Sequence, residues 1–315
     1  MKAGGDRSQG KILISTETHK TVSDVIAANF TALTRAERQL AETLLDNYPV
    51  SGLGSITTVA ENAGVSTPTV ARMVQKLGFR GFPDFQARLH QELEATISNP
   101  ISKHDRWATN APGTHILNRF ADATINNLRA TLAQMETQDF DGAAALIADP
   151  KRRIYLIGGR ITRTLADYLF THLQVIRAGV TLIASGSSPW PHYVLDMKKG
   201  DVLVVFDIRR YEQELETLAK AARSRGAEII LFTDQWSSPV AKSAAKVFRV
   251  HIEAPSAWDS SVVTLFTVEA LIEAVQSSIW EETRDRMKAL ETLFDATPLF
   301  RKPFQESKPF QKRKG

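Results

Sequence analysis

The sequence predicts an all-α N-terminal domain followed by an α/β three-layer sandwich with a five-stranded parallel sheet. Three observations carry this. Up to about Glu94 the apolar residues recur three and four apart, at helical spacing. From Arg153 the pattern changes to five short, nearly continuous apolar runs, the form expected of parallel strands covered on both faces. Segments of helical period separate those runs, which is the order of a doubly wound sheet. At 315 residues the chain is long enough for two domains with full cores, and it contains no cysteine. That excludes a disulfide scaffold, a thiolate metal site and a cysteine nucleophile.

Residues 1–28 are polar and unpatterned, and a mobile leader is expected there, without the apolar stretch of a signal peptide. Thr34-Arg35-Ala36-Glu37 reads as a capping box opening the first helix, whose stripe is Leu40, Ala41, Leu44 and Leu45. Asn47-Tyr48-Pro49 ends it. A second, short helix fits 57–63, with Gly64 just past its end. A third fits 67–77, with Ser66 as N-cap and Gly78 behind it. Short helix, tight turn, capped helix is the helix-turn-helix arrangement, whose second helix enters a major groove. Val70, Met73, Val74 and Leu77 share one side of the third helix, and Pro68, Thr69, Arg72, Gln75 and Lys76 lie opposite. Arg72 and Gln75 suit base edges, and Thr69 and Lys76 suit phosphates or base edges. With Arg80 and Arg88 they make a basic patch opposed only by Asp84 between residues 66 and 90. A solvated polar face has the same pattern, so spacing leaves both readings open. The net charge of +4 does not decide, because residues 301–315 alone carry six Lys or Arg against one Glu.

Residues 98–138 are expected to form a helical linker, with one long helix carrying Ile116, Phe120, Ile125, Leu128, Leu132 and Met135. Such a helix suits a connector or a dimer contact. The second domain is expected over 139–292, with strands at 154–157, 180–184, 202–206, 229–233 and 247–250 and a closing helix over 261–290. A ligand belongs beyond the carboxyl ends of those strands, at the loops Gly158–Thr162, Ser185–Ser188 and Asp207–Glu212. Residues 293–315 form a basic tail with a short repeat, Lys302-Pro303-Phe304-Gln305 and Lys308-Pro309-Phe310-Gln311, expected to be disordered and dispensable for folding. Charged residues interrupt every apolar stretch long enough to span a bilayer, so a soluble, cytoplasmic protein with no membrane partner is expected. The seven histidines are scattered singly, and no serine, histidine and carboxylate recur at nucleophile spacing. No catalytic residue, metal site or cofactor is expected.

The wording of the N-terminal segment carries a resemblance. Leu33-Thr34-Arg35-Ala36-Glu37, Gly64-Val65-Ser66, Thr69-Val70-Ala71-Arg72 and the run Leu77-Gly78-Phe79-Arg80-Gly81-Phe82-Pro83-Asp84-Phe85 closely resemble the winged-type helix-turn-helix of the RpiR/MurR family of bacterial transcription regulators. The resemblance implies a DNA-binding domain over 29–97 with its recognition helix over 66–76. Ser66, Thr67, Thr69, Arg72, Gln75, Lys76 and Arg80 are then the candidate DNA-binding residues. Family members join this domain to a sugar isomerase (SIS) domain, and Gly200-Asp201-Val202, Gly226-Ala227-Glu228-Ile229 and Thr233-Asp234 with Ser238-Pro239 match its landmarks.

In members that sense sugar phosphates the first loop usually reads Gly-x-Gly-x-Ser and the third Ser-x-Ser-Gly-x-Thr. Here they read Gly158-Gly159-Arg160-Ile161-Thr162 and Asp207-Ile208-Arg209-Arg210-Tyr211-Glu212. The candidate effector-binding residues are Gly158, Gly159, Arg160, Thr162, Ser185, Asp207, Arg209, Arg210 and Glu212. Gly158-Gly159 reads equally as a tight turn, and Arg209-Arg210 as a surface pair, a dimer contact or an anion grip. Asp207 and Glu212 oppose a phosphate dianion. Either Asp207 pairs with an arginine, or the arginines hold a carboxylate while the acids hold a hydroxyl or amine. The effector expected is therefore a small organic acid, an amino compound or a sugar derivative other than an ordinary sugar phosphate. The expected function is a regulator that binds double-stranded promoter DNA as a dimer or tetramer under control of that effector. The alternatives are a sugar-phosphate isomerase and a module that only assembles.

Overall fold

The computed structural model describes residues 21–97, 101, 103 and 115–297. The expected tail from 298 onward, and the first twenty residues of the expected leader, lie outside the described residues. The N-terminal domain consists of α1 (Val22–Asn29), α2 (Arg35–Asp46), α3 (Ile56–Asn62), α4 (Thr67–Lys76) and α5 (Phe82–Ile97). Helix α1 corrects the leader's boundary. Thr21 and Asp24 cap it reciprocally, each side chain accepting the other's backbone N–H. Val22 and Ile26 are fully buried beside Leu40, Leu44, Phe85 and Leu89. The polar residues of this short segment hid two core positions four residues apart on one face of the helix. Phe79 meets Phe85 edge-on at 5.3 Å between ring centroids, so the Leu-Gly-Phe run folds back on the core. Among the described residues this domain contains no strand, so no β-wing accompanies the helices there.

The expected linker helix divides into α6 (Ile116–Gln134) and α7 (Thr137–Ala148), with Met135 and Glu136 extended between them. Neither is a free connector. Asn127 Nδ2 donates to the Glu253 carbonyl at 2.6 Å, and the His251 N–H donates to Thr131 Oγ1 at 2.9 Å. Polar side chains thus dock α6 on the chain leaving the sheet, which a search for apolar stripes does not reveal. Helix α7 buries Ala143, Ala144 and Ile147 against the sheet. The second domain therefore begins at α6 and not at 139.

Its sheet contains β1 (Ile154–Gly158), β2 (Val180–Leu182), β3 (Val202–Phe206), β4 (Glu228–Asp234) and β5 (Lys246–Val250), all parallel, in the order β2-β1-β3-β4-β5. Helices α7, α8 (Arg163–Ile176) and α11 (Val262–Ser278) cover one face, and α9 (Trp190–Asp196) and α10 (Gln213–Ser224) the other. The closing segment expected as one helix bends by 98° at Ile279 into α12 (Trp280–Ala296), whose Thr283 hydroxyl donates to the Ile176 carbonyl. Phe206, Phe232 and Phe248, in register on three neighbouring strands, stack at 4.6 and 4.9 Å between centroids and centre the core. Among the described residues no single helix is long and apolar enough to cross a membrane. The strand order reverses between β1 and β3, and a crevice opens at the carboxyl ends of strands at such a switch point.

Candidate functional site

Two regions concentrate the polar chemistry, one on each domain. On α4, Val70, Met73 and Val74 are buried, while Ser66, Arg72, Gln75 and Lys76 reach the surface, as does Arg80 beyond its end. Thr67 is half-buried. Thr69, expected on the free face, is buried, and its hydroxyl lies 2.9 Å from Ser66 Oγ and accepts from Arg72 Nη2 at 3.4 Å. At the flank of the packed side it can orient Arg72 but does not face solvent.

Lys76, though exposed, also has a structural partner. Its Nζ lies 2.9 Å from Glu37 Oε2 and donates to the Ala32 carbonyl at 2.8 Å, which ties the end of α4 to the start of α2. Burial pushes the Glu37 carboxyl up, but the Thr34 amide and the Lys76 ammonium outweigh it and hold it below the ordinary glutamate range. Lys76→Ala is expected to cost about 1–2 kcal/mol of stability at neutral pH, because a buried carboxylate loses a partner. A carboxyl with a depressed folded value stabilises above its unfolded value, so this loss fades as pH falls through the glutamate range. Urea titrations at neutral and acid pH check it; an unchanged midpoint at neutral pH would leave Lys76 as a surface cation.

The second region lies at the switch point. Gly158 ends β1, and a Cβ there would fall 2.6 Å from the Thr162 carbonyl, so the turn into α8 closes only over hydrogen. A Cβ on Gly159 would fall 2.7 Å from Glu212 Oε1. That carboxylate accepts the Arg160 N–H at 2.8 Å, reaching across from the start of α10 to the first loop. Thr162 Oγ1 donates to the Phe206 carbonyl at 2.8 Å and binds the same loop to the end of β3.

Beneath this clasp lie two buried carboxylates. Asp207 accepts the Ser238 hydroxyl and, at 3.3 Å, the Glu212 N–H. Burial pushes its carboxyl up to about 6, against the smaller pull of those two hydrogen bonds. Asp234 is fully buried and accepts the Arg209 N–H at 2.7 Å, the Tyr211 hydroxyl at 2.6 Å and the Trp236 N–H at 3.0 Å. Burial raises its carboxyl too. Arg209 and Arg210 both sit at positive φ, +36° and +53°, which costs about 1 kcal/mol or more per residue and which the grip of Asp234 sustains.

That backbone turn sends the arginines away from Asp207. The Arg209 guanidinium lies 2.9 Å from Asp259 and 4.4 Å over the Trp236 ring, and Lys103 pairs with the same Asp259. Asp207 therefore bonds to Ser238 and not to an arginine, which settles one of the two arrangements expected from the sequence against an Asp207–Arg pair. The structure brings together Gly159, Arg160, Thr162, Asp207 and Glu212; Ser185 and the side chains of Arg160 and Arg210 are exposed and take no part in the network. Tyr211, Asp234, Trp236, Ser238 and Asp259 were not among the candidates. Thr233-Asp234 and Ser238-Pro239 were visible as fold landmarks, yet the partners of their acid and hydroxyl lie about thirty residues away in sequence. Among the described residues no three His, Asp or Glu side chains are placed to hold a metal ion.

The chain thus joins a small helical domain, whose α4 exposes Arg72 and Gln75, to a doubly wound sheet with a hydrogen-bonded polar network at its switch point. Residues 20–96 match the helix-turn-helix domain of the rpiR family, and residues 146–274 match the SIS domain. The chain therefore carries a helix-turn-helix domain of the rpiR family followed by a SIS domain. It is 27% identical over 220 residues to an uncharacterized HTH-type transcriptional regulator of Clostridium perfringens, covering 66% of this chain and 74% of that one. It is 30% identical over 225 residues to the bifunctional protein glk of Paraburkholderia xenovorans, covering 70% of this chain but only 34% of that relative, so it spans about a third of glk's length. Among solved structures, NanR of Vibrio vulnificus, complexed with ManNAc-6P, superposes with a TM-score of 0.53 at 18% identity over 89% of this chain and 99% of NanR. At that identity the likeness is one of fold.

Proposed function

We propose that this protein binds operator DNA through α4 and that a small metabolite at the β1–β3 crevice controls that binding. The observation that carries it is the pairing of the two matched domains with an α4 whose apolar side is buried and whose Arg72 and Gln75 are exposed. These two side chains would read base edges, while Ser66, Thr67 and Arg80 would meet the backbone. Two copies would span paired half-sites, and the exposed Leu117, Ile125 and Leu132 of α6 support self-association. The same reading gives the C-terminal domain no catalytic role. A general base must reach its substrate, and Asp207, whose carboxyl burial raises to about 6, is buried with both oxygens hydrogen-bonded.

Arg72→Ala is expected to weaken specific binding by about 1–3 kcal/mol and to relax preference at one base pair. Gel-shift titrations on the chain's own promoter and on scrambled DNA measure both. Unchanged affinity and unchanged preference would remove α4 from sequence reading, and turnover of a phosphosugar would favour the isomerase alternative.

A further inference from the structure

At the switch point the place where an anion would dock is already taken from within. Backbone N–H groups at the turn from a strand into a helix are what phosphates and carboxylates use. Here the Arg160 N–H donates to Glu212 Oε1 at 2.8 Å, and Gly159 lacks the side chain that would block this approach. Glu212 is pinned at its other end as well, since its own N–H donates to Asp207. We propose that Glu212 is a built-in occupant of the anion position, and that the effector is a non-phosphorylated polyol or amino compound and not a phosphate ester. This rests on reading the C-terminal domain as a metabolite sensor.

The charges nearby agree. A phosphate at this loop would face the Glu212 carboxylate directly, with Asp207 and Asp234 beneath it. The cation that could offset them, Arg209, is held against Asp259 and Trp236. What the site still offers is mainly acceptors. Glu212 Oε2 has no protein partner among the described residues. In the loop after β4, which in sequence joins Asp234 to the Ser238 that holds Asp207, Gln235 Oε1 is a buried acceptor with no hydrogen-bond partner, and the Ser237 hydroxyl, able to donate or accept, is unmatched as well. Unmatched buried acceptors are completed by a ligand that donates O–H or N–H groups.

The test uses the full chain, with inorganic phosphate and the matched pair glucosamine and glucosamine 6-phosphate as probes, followed by calorimetry and thermal shift. Wild type is expected to show no saturable response to inorganic phosphate and to bind glucosamine 6-phosphate no more tightly than glucosamine. Glu212→Ala frees the Arg160 amide and should raise affinity for inorganic phosphate at least about tenfold. Glu212→Gln keeps an acceptor there while removing the charge, and should give a smaller gain in the same direction even if the alanine variant does not fold. Tighter binding of the phosphorylated probe by wild type, or no gain in either variant, would overturn the proposal. Loss of DNA recognition is read separately from the Arg72→Ala titration, so failure of the regulator reading and failure of the ligand class are distinguishable.

Discussion

Asp234→Ala is expected to cost about 3–5 kcal/mol of stability and to loosen the loop from Asp207 to Glu212, the largest effect among the single substitutions considered. The carboxylate is fully buried and serves three donors at once: two backbone N–H groups, of Arg209 and Trp236, and the Tyr211 hydroxyl. Truncation leaves all three without an acceptor in a site shielded from water. It also removes the restraint on two consecutive non-glycine residues at positive φ, so the loop can relax toward ordinary backbone angles. Asp234→Asn keeps one carbonyl oxygen and should lose about half as much. Tyr211→Phe removes a single donor and should cost about 1 kcal/mol. Urea midpoints for the three variants give the ranking, and amide exchange at Arg209 and Trp236 reports the loop. A loss below about 1 kcal/mol for Asp234→Ala would mean that water replaces the carboxylate, and the loop would not depend on it.

The strands and the α4 helix were legible because each has a signal along a single stretch of chain. Five apolar runs fell on five strands, and the capping box at Thr34 and Glu37 started α2 where the sequence placed it. Helix α1 escaped because its box uses Asp24 and its buried face is only Val22 and Ile26. Helix α6 was visible as a helix but not as part of the second domain, since Asn127 and Thr131 dock it by hydrogen bonds to a segment more than a hundred residues away. The site divides in the same way. Glycines, the departures in the first and third loops and the exposed arginines could be read locally. The role of Lys76 could not, because its partner Glu37 lies on another helix and looks, in sequence, like a capping residue only. Asp234 was hidden for the opposite reason: it terminates an apolar run, where a strand-end acid is ordinary, and only the folded third loop shows what it holds.

Asp207→Asn is expected to stabilise the protein at alkaline pH by about 2–3 kcal/mol and to make little difference in acid. Burial raises the Asp207 carboxyl from 3.8 to about 6, so the native state holds this proton more tightly than the unfolded chain does. The sign follows from that difference. Stability from this group is full below the unfolded value, falls as pH rises through about 6, and stays low above it. Two pK units at 1.36 kcal/mol each set the size, roughly 3 kcal/mol, and a side chain 2% exposed leaves little solvent screening to reduce it. Asparagine imitates the protonated acid. Its oxygen can accept the Glu212 N–H and its Nδ2 can donate to Ser238 Oγ, with the hydroxyl turned to serve as acceptor. Denaturant titrations of both proteins from about pH 4 to pH 8 isolate the effect, because titrating groups distant from Asp207 cancel in the difference, and what remains belongs to Asp207 and the Asp234 and Glu212 carboxylates coupled to it. A difference that does not change with pH would show that Asp207 stays ionised throughout. Its negative charge, present at neutral pH in either case, would then persist into acid, and the exclusion of anions that Glu212 begins would hold there too.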